Sequence, residues 1–114
     1  MATFDAGVYP EAFEHMEKGV KTVYAVPATD EWSIMSSGDR IEFGSIGSIT
    51  VGSVRRYDSL EDLCEAESWR NLMPDAPSAE DAIASIRAVA EWDKATEKKR
   101  GVIAARIRAV KRKL

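Results

Sequence analysis

Residues 49–57, ITVGSVRRY, decide how this chain folds. The run is rich in β-branched residues, which fit a pleated strand. Gly52 inside it signals a bulge or the bend of a barrel strand. Upstream, RIEF at residues 40–43 is a shorter strand, with Ile41 and Phe43 on one face and Arg40 and Glu42 on the other. Gly38-Asp39 turns the chain into RIEF, and Gly44, Gly47 and Ser48 turn it out again. Further upstream, KTVYAV at residues 21–26 reads as a strand that Pro27 ends. Downstream, GVIAARIRAV at residues 101–110 is the last strand. Its alternation puts Ile103, Ala105, Ile107 and Ala109 on one face, and Ala104, Arg106 and Arg108 on the other.

Helical signals lie between and before these strands. Residues 10–18 form a first helix, with Pro10 at its start and Gly19 just past its end. Phe13 and Met16 face inward, while Glu11, Glu14 and Glu17 face solvent with His15 beside them. Residues 28–37 are a loop with one helical turn at residues 32–35. Ser59 caps a helix over residues 60–67, with Asp62 three residues on. Leu60, Leu63 and Cys64 make its core stripe, so Cys64 reads as a small buried hydrophobe. Residues 69–76 are irregular. Ser78 caps another helix that runs to about Asp93, with Ala82, Ile83, Ile86, Val89 and Ala90 on its apolar face. Residues 96–101 read as a basic loop. The order helix, strand, strand, strand, helix, helix, strand contains no succession of βαβ units. It predicts an α+β domain with a mostly antiparallel, small mixed β-barrel flanked by helices.

The chain has 114 residues, of which 45% are apolar and 31% charged. That length and balance suit one folded domain over residues 1–114. No apolar run reaches the roughly 18 residues of a membrane span, and MATFDAGVYPE shows no secretory signal. A cytoplasmic monomer is the expectation. One cysteine excludes an internal disulfide, and with a single histidine no metal cluster and no cofactor is expected. The net charge of −3 hides an asymmetry: residues 94–114 hold nine basic side chains against one acid, Glu97, whereas the first 93 residues hold seven basic against eighteen acidic. A basic terminal segment on an acidic body hints at nucleic acid or another anionic surface. It is equally the composition of a solvated helix end or strand edge.

The pieces YPEAFEHMEKG, GVKTVYAV, SGDRIEF, VRRYDSLEDL and GVIAARIRAV follow one another in an order that resembles the ASCH domain, a branch of the PUA-like superfamily. The resemblance runs from about Val8 to Val110. It rests chiefly on Gly-x-Lys-Thr at Gly19, Lys21 and Thr22, and on Gly-Asp-x-Ile-x-Phe at residues 38–43. It implies a PUA-like barrel whose cleft against the helices takes RNA or a nucleotide-like ligand. Some members are amidohydrolases acting on acetylated cytidine, and relatives that cut RNA are ribonucleases. The hydrolase members use a Lys, a Thr and a Glu. Lys21 matches the first, Tyr24 stands where the Thr would be, and Glu65 or Glu67 is available for the third, with Glu67 the choice. The Glu and Arg that many members carry after Gly-x-Lys-Thr are replaced here by Tyr24 and Val26.

Chemistry narrows the candidates further. A cleft lysine binds phosphate as a point charge, or acts as a base when burial lowers its pKa. Lys21 and Tyr24 are three apart, so a regular strand would point them to opposite faces. RNA needs cations for phosphates and flat rings for bases. Lys21, Arg40, Arg56, Arg106 and Arg108 are the candidate cations, and Tyr24 and Trp32 the candidate stacking rings. Trp32 stands in a polar loop, whereas Trp69 and Trp92 flank helices and read as core.

Overall fold

The structure, a computed structural model, describes residues 1–113. Five strands, β1 (Thr3–Asp5), β2 (Val23–Pro27), β3 (Arg40–Phe43), β4 (Gly47–Tyr57) and β5 (Val102–Arg112), form one sheet in the order β1-β3-β4-β5-β2. Only the β1–β3 pair is parallel. The sheet curls into a half-barrel flanked by helices. These are α1 (Pro10–Glu17), α2 (Leu60–Glu67), α3 (Ala79–Arg87) and α4 (Lys94–Arg100).

Each face of the sheet buries its own core. On the inner face, Phe13 and Met16 of α1 meet Val26, Ile41, Phe43, Ile49, Val51, Ile103 and Ala105. On the outer face, Val23, Val102 and Ala104 pack against Leu60, Leu63, Cys64 and Leu72. Cys64 is a core residue as expected, and burial pushes its thiol up to about 11. Trp69 and Trp92 pack against this outer cluster.

Gly52 sits where the β4–β5 ladder is irregular. Between the pairs Val51↔Ile107 and Val54↔Ala105, β4 has two residues and β5 one. That is a bulge, which increases local twist and bends the strand. A second irregularity leaves Arg108 unpaired between Thr50↔Ala109 and Val51↔Ile107. It corrects the alternation expected beyond Ile107: Ala109 is exposed, and Val110 packs on the inner core.

Three further expectations change. The N-terminal β1 carries no signal in the sequence, because three residues are too few for a periodicity to register. The helix expected to run to Asp93 stops at Arg87, and the expected basic loop at residues 96–101 is largely helix α4. The reason is Asp93, whose side chain accepts from the Thr96 N–H and starts a new helix. Gly101 then ends α4 with a φ of +83°, and a Cβ there would lie 2.2 Å from the Tyr57 carbonyl oxygen.

The helices are tied together by one buried carboxylate. Glu97 accepts from the Leu60 N–H at 3.0 Å, from Trp92 Nε1 at 3.0 Å and from the Arg87 guanidinium. Arg87 also makes a two-pronged bond to Glu61. Arg87 holds the Glu97 carboxyl down at about 2 against the opposing effect of burial, with the Leu60 and Trp92 donors assisting. The unfolded chain takes up this proton at the ordinary value of about 4.3. The Glu97 contribution to stability is therefore full above that pH and is lost as pH falls towards 2. Replacing Glu97 by Ala should cost about 3–5 kcal/mol at pH 7, because the Leu60 N–H and Trp92 Nε1 lose their acceptor and Arg87 keeps only the exposed Glu61. Glu97→Gln should flatten the acid limb of the stability curve. Urea unfolding at pH 7 and pH 3 checks both; an unchanged acid limb in Glu97→Gln would refute the assignment.

Candidate functional site

The strand order leaves β1 and β2 at opposite edges of the sheet, and no ladder joins them. Aromatic rings bridge this seam. Phe4 of β1 stacks on Trp32 with centroids 5.2 Å apart. Tyr24 of β2 lies tilted against Trp32 at 6.5 Å and edge-on to Phe43 at 5.4 Å. The Tyr24 hydroxyl donates a long bond, 3.4 Å, to the Gly7 carbonyl across the seam. Trp32 opens a single 3-10 turn, Trp32–Ile34, where the helical turn was expected; its N–H donates to the Thr29 hydroxyl.

Beside these rings lies a cavity of about 940 Å³. Its walls are the β1–α1 connection (residues 5–9), β2 (24–27), the following loop (29–32), residues 72–73 and the α3–α4 connection (89–93). Lys21, Tyr24 and Trp32 all line it. Regular strand parity would have separated Lys21 from Tyr24. They come together because the regular strand starts only at Val23, leaving Lys21 in the connection from α1. Its ammonium donates to the Leu72 carbonyl at 2.6 Å and the Val23 carbonyl at 3.0 Å, and lies 5.9 Å from the centre of the Tyr24 ring. Burial lowers the Lys21 pKa to about 8, against the opposing pull of Asp75. Burial pushes Tyr24 up to about 12, and Glu91 adds to the effect.

Asp5, Asp30, Glu31, Glu91 and Asp93 line the same cavity against Lys21 as its one cationic wall residue. Arg100 pairs with Asp30, and Asp93 caps α4, but the rim remains acidic. Among the described residues no cluster of His, Cys, Asp and Glu is arranged to hold a metal ion. No helix among them is long and apolar enough to cross a membrane.

The other sequence candidates stand elsewhere. Glu67 lies in the outer-face packing, where it accepts from the Tyr57 hydroxyl and from Arg106 Nε at 2.9 Å. Arg40 pairs with Glu42 at 3.0 Å and borders a smaller hollow of about 240 Å³. Arg56 donates to the Ser33 hydroxyl, and Arg108 to the Ser37 hydroxyl. The sequence reading missed the contributions of residues 5–9 and 89–93, which are remote in sequence from Lys21. Their signal was slight: Val89 was read as the core face of a longer helix, and Trp92 as core alone.

The position of Lys21 predicts its titration. The unfolded chain holds this proton to about pH 10.4, the folded one only to about 8. Between these values the unfolded state binds more protons, so stability rises with pH across that window. The Lys21 side-chain NMR signals should titrate with a midpoint near 8, and Asp75→Asn should lower that midpoint further. A midpoint at the ordinary lysine value would show a solvated amine instead.

No family model matches the chain, and no curated protein is similar to it. Solved structures are similar to it, two of them as follows. The crystal structure of hypothetical protein PH0355 is 28% identical, with a TM-score of 0.83 over 94% of this chain and 97% of that one. The solution NMR structure of protein PF0455 from Pyrococcus furiosus is 27% identical, with a TM-score of 0.75 over 92% and 94%. The chain is similar to both along nearly its whole length.

Proposed function

We propose that this chain is a PUA-like domain of the ASCH type whose seam cavity binds a base-like ligand of the nucleoside or nucleotide class. One observation carries the reading: Lys21, Tyr24 and Trp32, named from the sequence as ligand candidates, line a single cavity of about 940 Å³. Stacking of a base on such a ring contributes about 1–3 kcal/mol. The half-barrel with helices against it agrees with the fold that the sequence resemblance implies. The rim favours a compact ligand over a long RNA strand, since five carboxylates repel phosphates. Of the cations named for phosphate contact, Arg106 is engaged by Glu67 and Arg40 by Glu42.

Calorimetry with a panel of nucleosides and their 5′-monophosphates tests the reading. At least one should bind, and Trp32→Ala should weaken it about 10-fold or more, in line with the loss of one stacking partner. Trp32→Phe, which keeps a ring against Phe4, should retain most of the affinity. No binding by any member of the panel, or equal binding by Trp32→Ala, would overturn it.

A second reading, hydrolysis of an acylated nucleoside such as acetylated cytidine, draws on the amine of Lys21. With a pKa of about 8, part of it is unprotonated near neutral pH and can take a proton from water or substrate. Tyr24, with its pKa of about 12, stays protonated and can donate to a developing oxyanion. Glu67, the third group of the resemblance, is paired outside the cavity walls, so this reading rests on two groups. Turnover of acetylated cytidine should rise with pH through about 8 and vanish in Lys21→Ala. Turnover that survives Lys21→Ala, or none at all in the intact chain, rules it out.

A further inference from the structure

On the open edge of β2 one cavity-lining residue keeps both of its main-chain groups free. Thr22 accepts from the Ile107 N–H and Ala28 donates to the Gly101 carbonyl. In an antiparallel ladder the residues that exchange hydrogen bonds with the partner alternate with residues whose groups point away. Tyr24 and Val26 thus turn their backbone groups to β5, as Thr22 does its carbonyl (its N–H donates to the Asn71 carbonyl), and residues 23, 25 and 27 turn theirs to the open side. On that side the Val23 carbonyl is taken by Lys21 Nζ; the Val23 N–H has no partner among the described residues, but Val23 does not line the cavity. Pro27 has no N–H, and its carbonyl accepts from Thr29. Ala25 keeps both groups free: among the described residues neither its N–H nor its C=O has a partner across the seam. Ala25 is partly buried and lines the cavity. Partly buried backbone groups without a protein partner call for one from outside.

Resting on the base-binding reading above, we infer that the Ala25 main chain reads the ligand's edge: its N–H donates to a ring acceptor or carbonyl of the base, and its C=O accepts from the neighbouring N–H. These are the two groups that another strand would take, presented at one residue only. The ligand class is a planar heterocycle with a donor beside an acceptor, as on the pairing edge of a uracil or an adenine. Tyr24 and Trp32 supply the apolar walls, and Ala25 supplies the selection.

Paired nucleosides test this without altering the protein. Uridine is compared with N3-methyluridine, and adenosine with N6,N6-dimethyladenosine, by calorimetry on the full chain. In each pair methylation removes the donor and leaves the ring. Whichever parent binds, its methylated form should bind at least about 10-fold more weakly, as expected when a buried acceptor loses its partner. Ala25→Pro should produce a similar loss for the parent. It removes only an N–H that the β5 ladder does not use, and proline is tolerated at such edge positions. Equal affinity for the parent and methylated forms would overturn the role of Ala25 while leaving base binding intact. If no nucleoside or nucleotide bound at all, the base-binding reading would fall and this inference with it.

Discussion

β1 and β2 end the strand order on opposite sides, and neither finds the other as a partner, so the sheet curls without closing. Unpaired edges inside a fold are unfavourable, because each N–H and C=O that loses water needs another partner. The chain answers in two ways. α1 inserts Phe13 and Met16 against the inner face, and Phe4, Tyr24 and Trp32 bridge the gap. Rings fill space but leave backbone groups unbonded, so closure by packing yields a seam with a hollow beside it. The cavity is thus a by-product of a barrel one ladder short of complete.

The outer face holds the other half of the arrangement. α2 and the residues after it cover Val23 of β2 and Val102 and Ala104 of its partner β5. Leu72 both packs there and gives its carbonyl to Lys21. A lysine that would otherwise reach solvent is held in the cavity wall by main-chain atoms of two separate segments. Its low pKa follows from that position, because two carbonyl dipoles only partly replace the water that burial removes.

How far the sequence could be read depended on the range of each signal. α2 was legible to the residue, because Ser59 and Asp62 mark its start and the Leu60, Leu63, Cys64 stripe marks its face. Gly52 announced the bulge in β4. The unpaired Arg108 was not legible, since nothing in RIRAV distinguishes a bulge from simple alternation. The break between α3 and α4 was masked by Val89 and Ala90, which continue an apolar pattern across it. Of the site, Lys21, Tyr24 and Trp32 were found because they are chemically conspicuous. Ala25 was not, since its free groups are defined by the register with β5 and by the absence of a strand beyond it. The pairing of Glu67 with Arg106 belongs to the same kind, fixed by strand and helix placement across 39 positions.

The joint between Arg87 and Glu97 gives the domain a division of labour. It clamps both ends of the connection that forms one cavity wall, and within that connection only Trp92 is bonded to the carboxylate. Val89, Ala90 and Glu91 hang between two fixed posts. Exchanging them alters the shape and charge of the hollow and leaves the posts standing. The lining of the hollow can vary on this frame while the architecture stays constant.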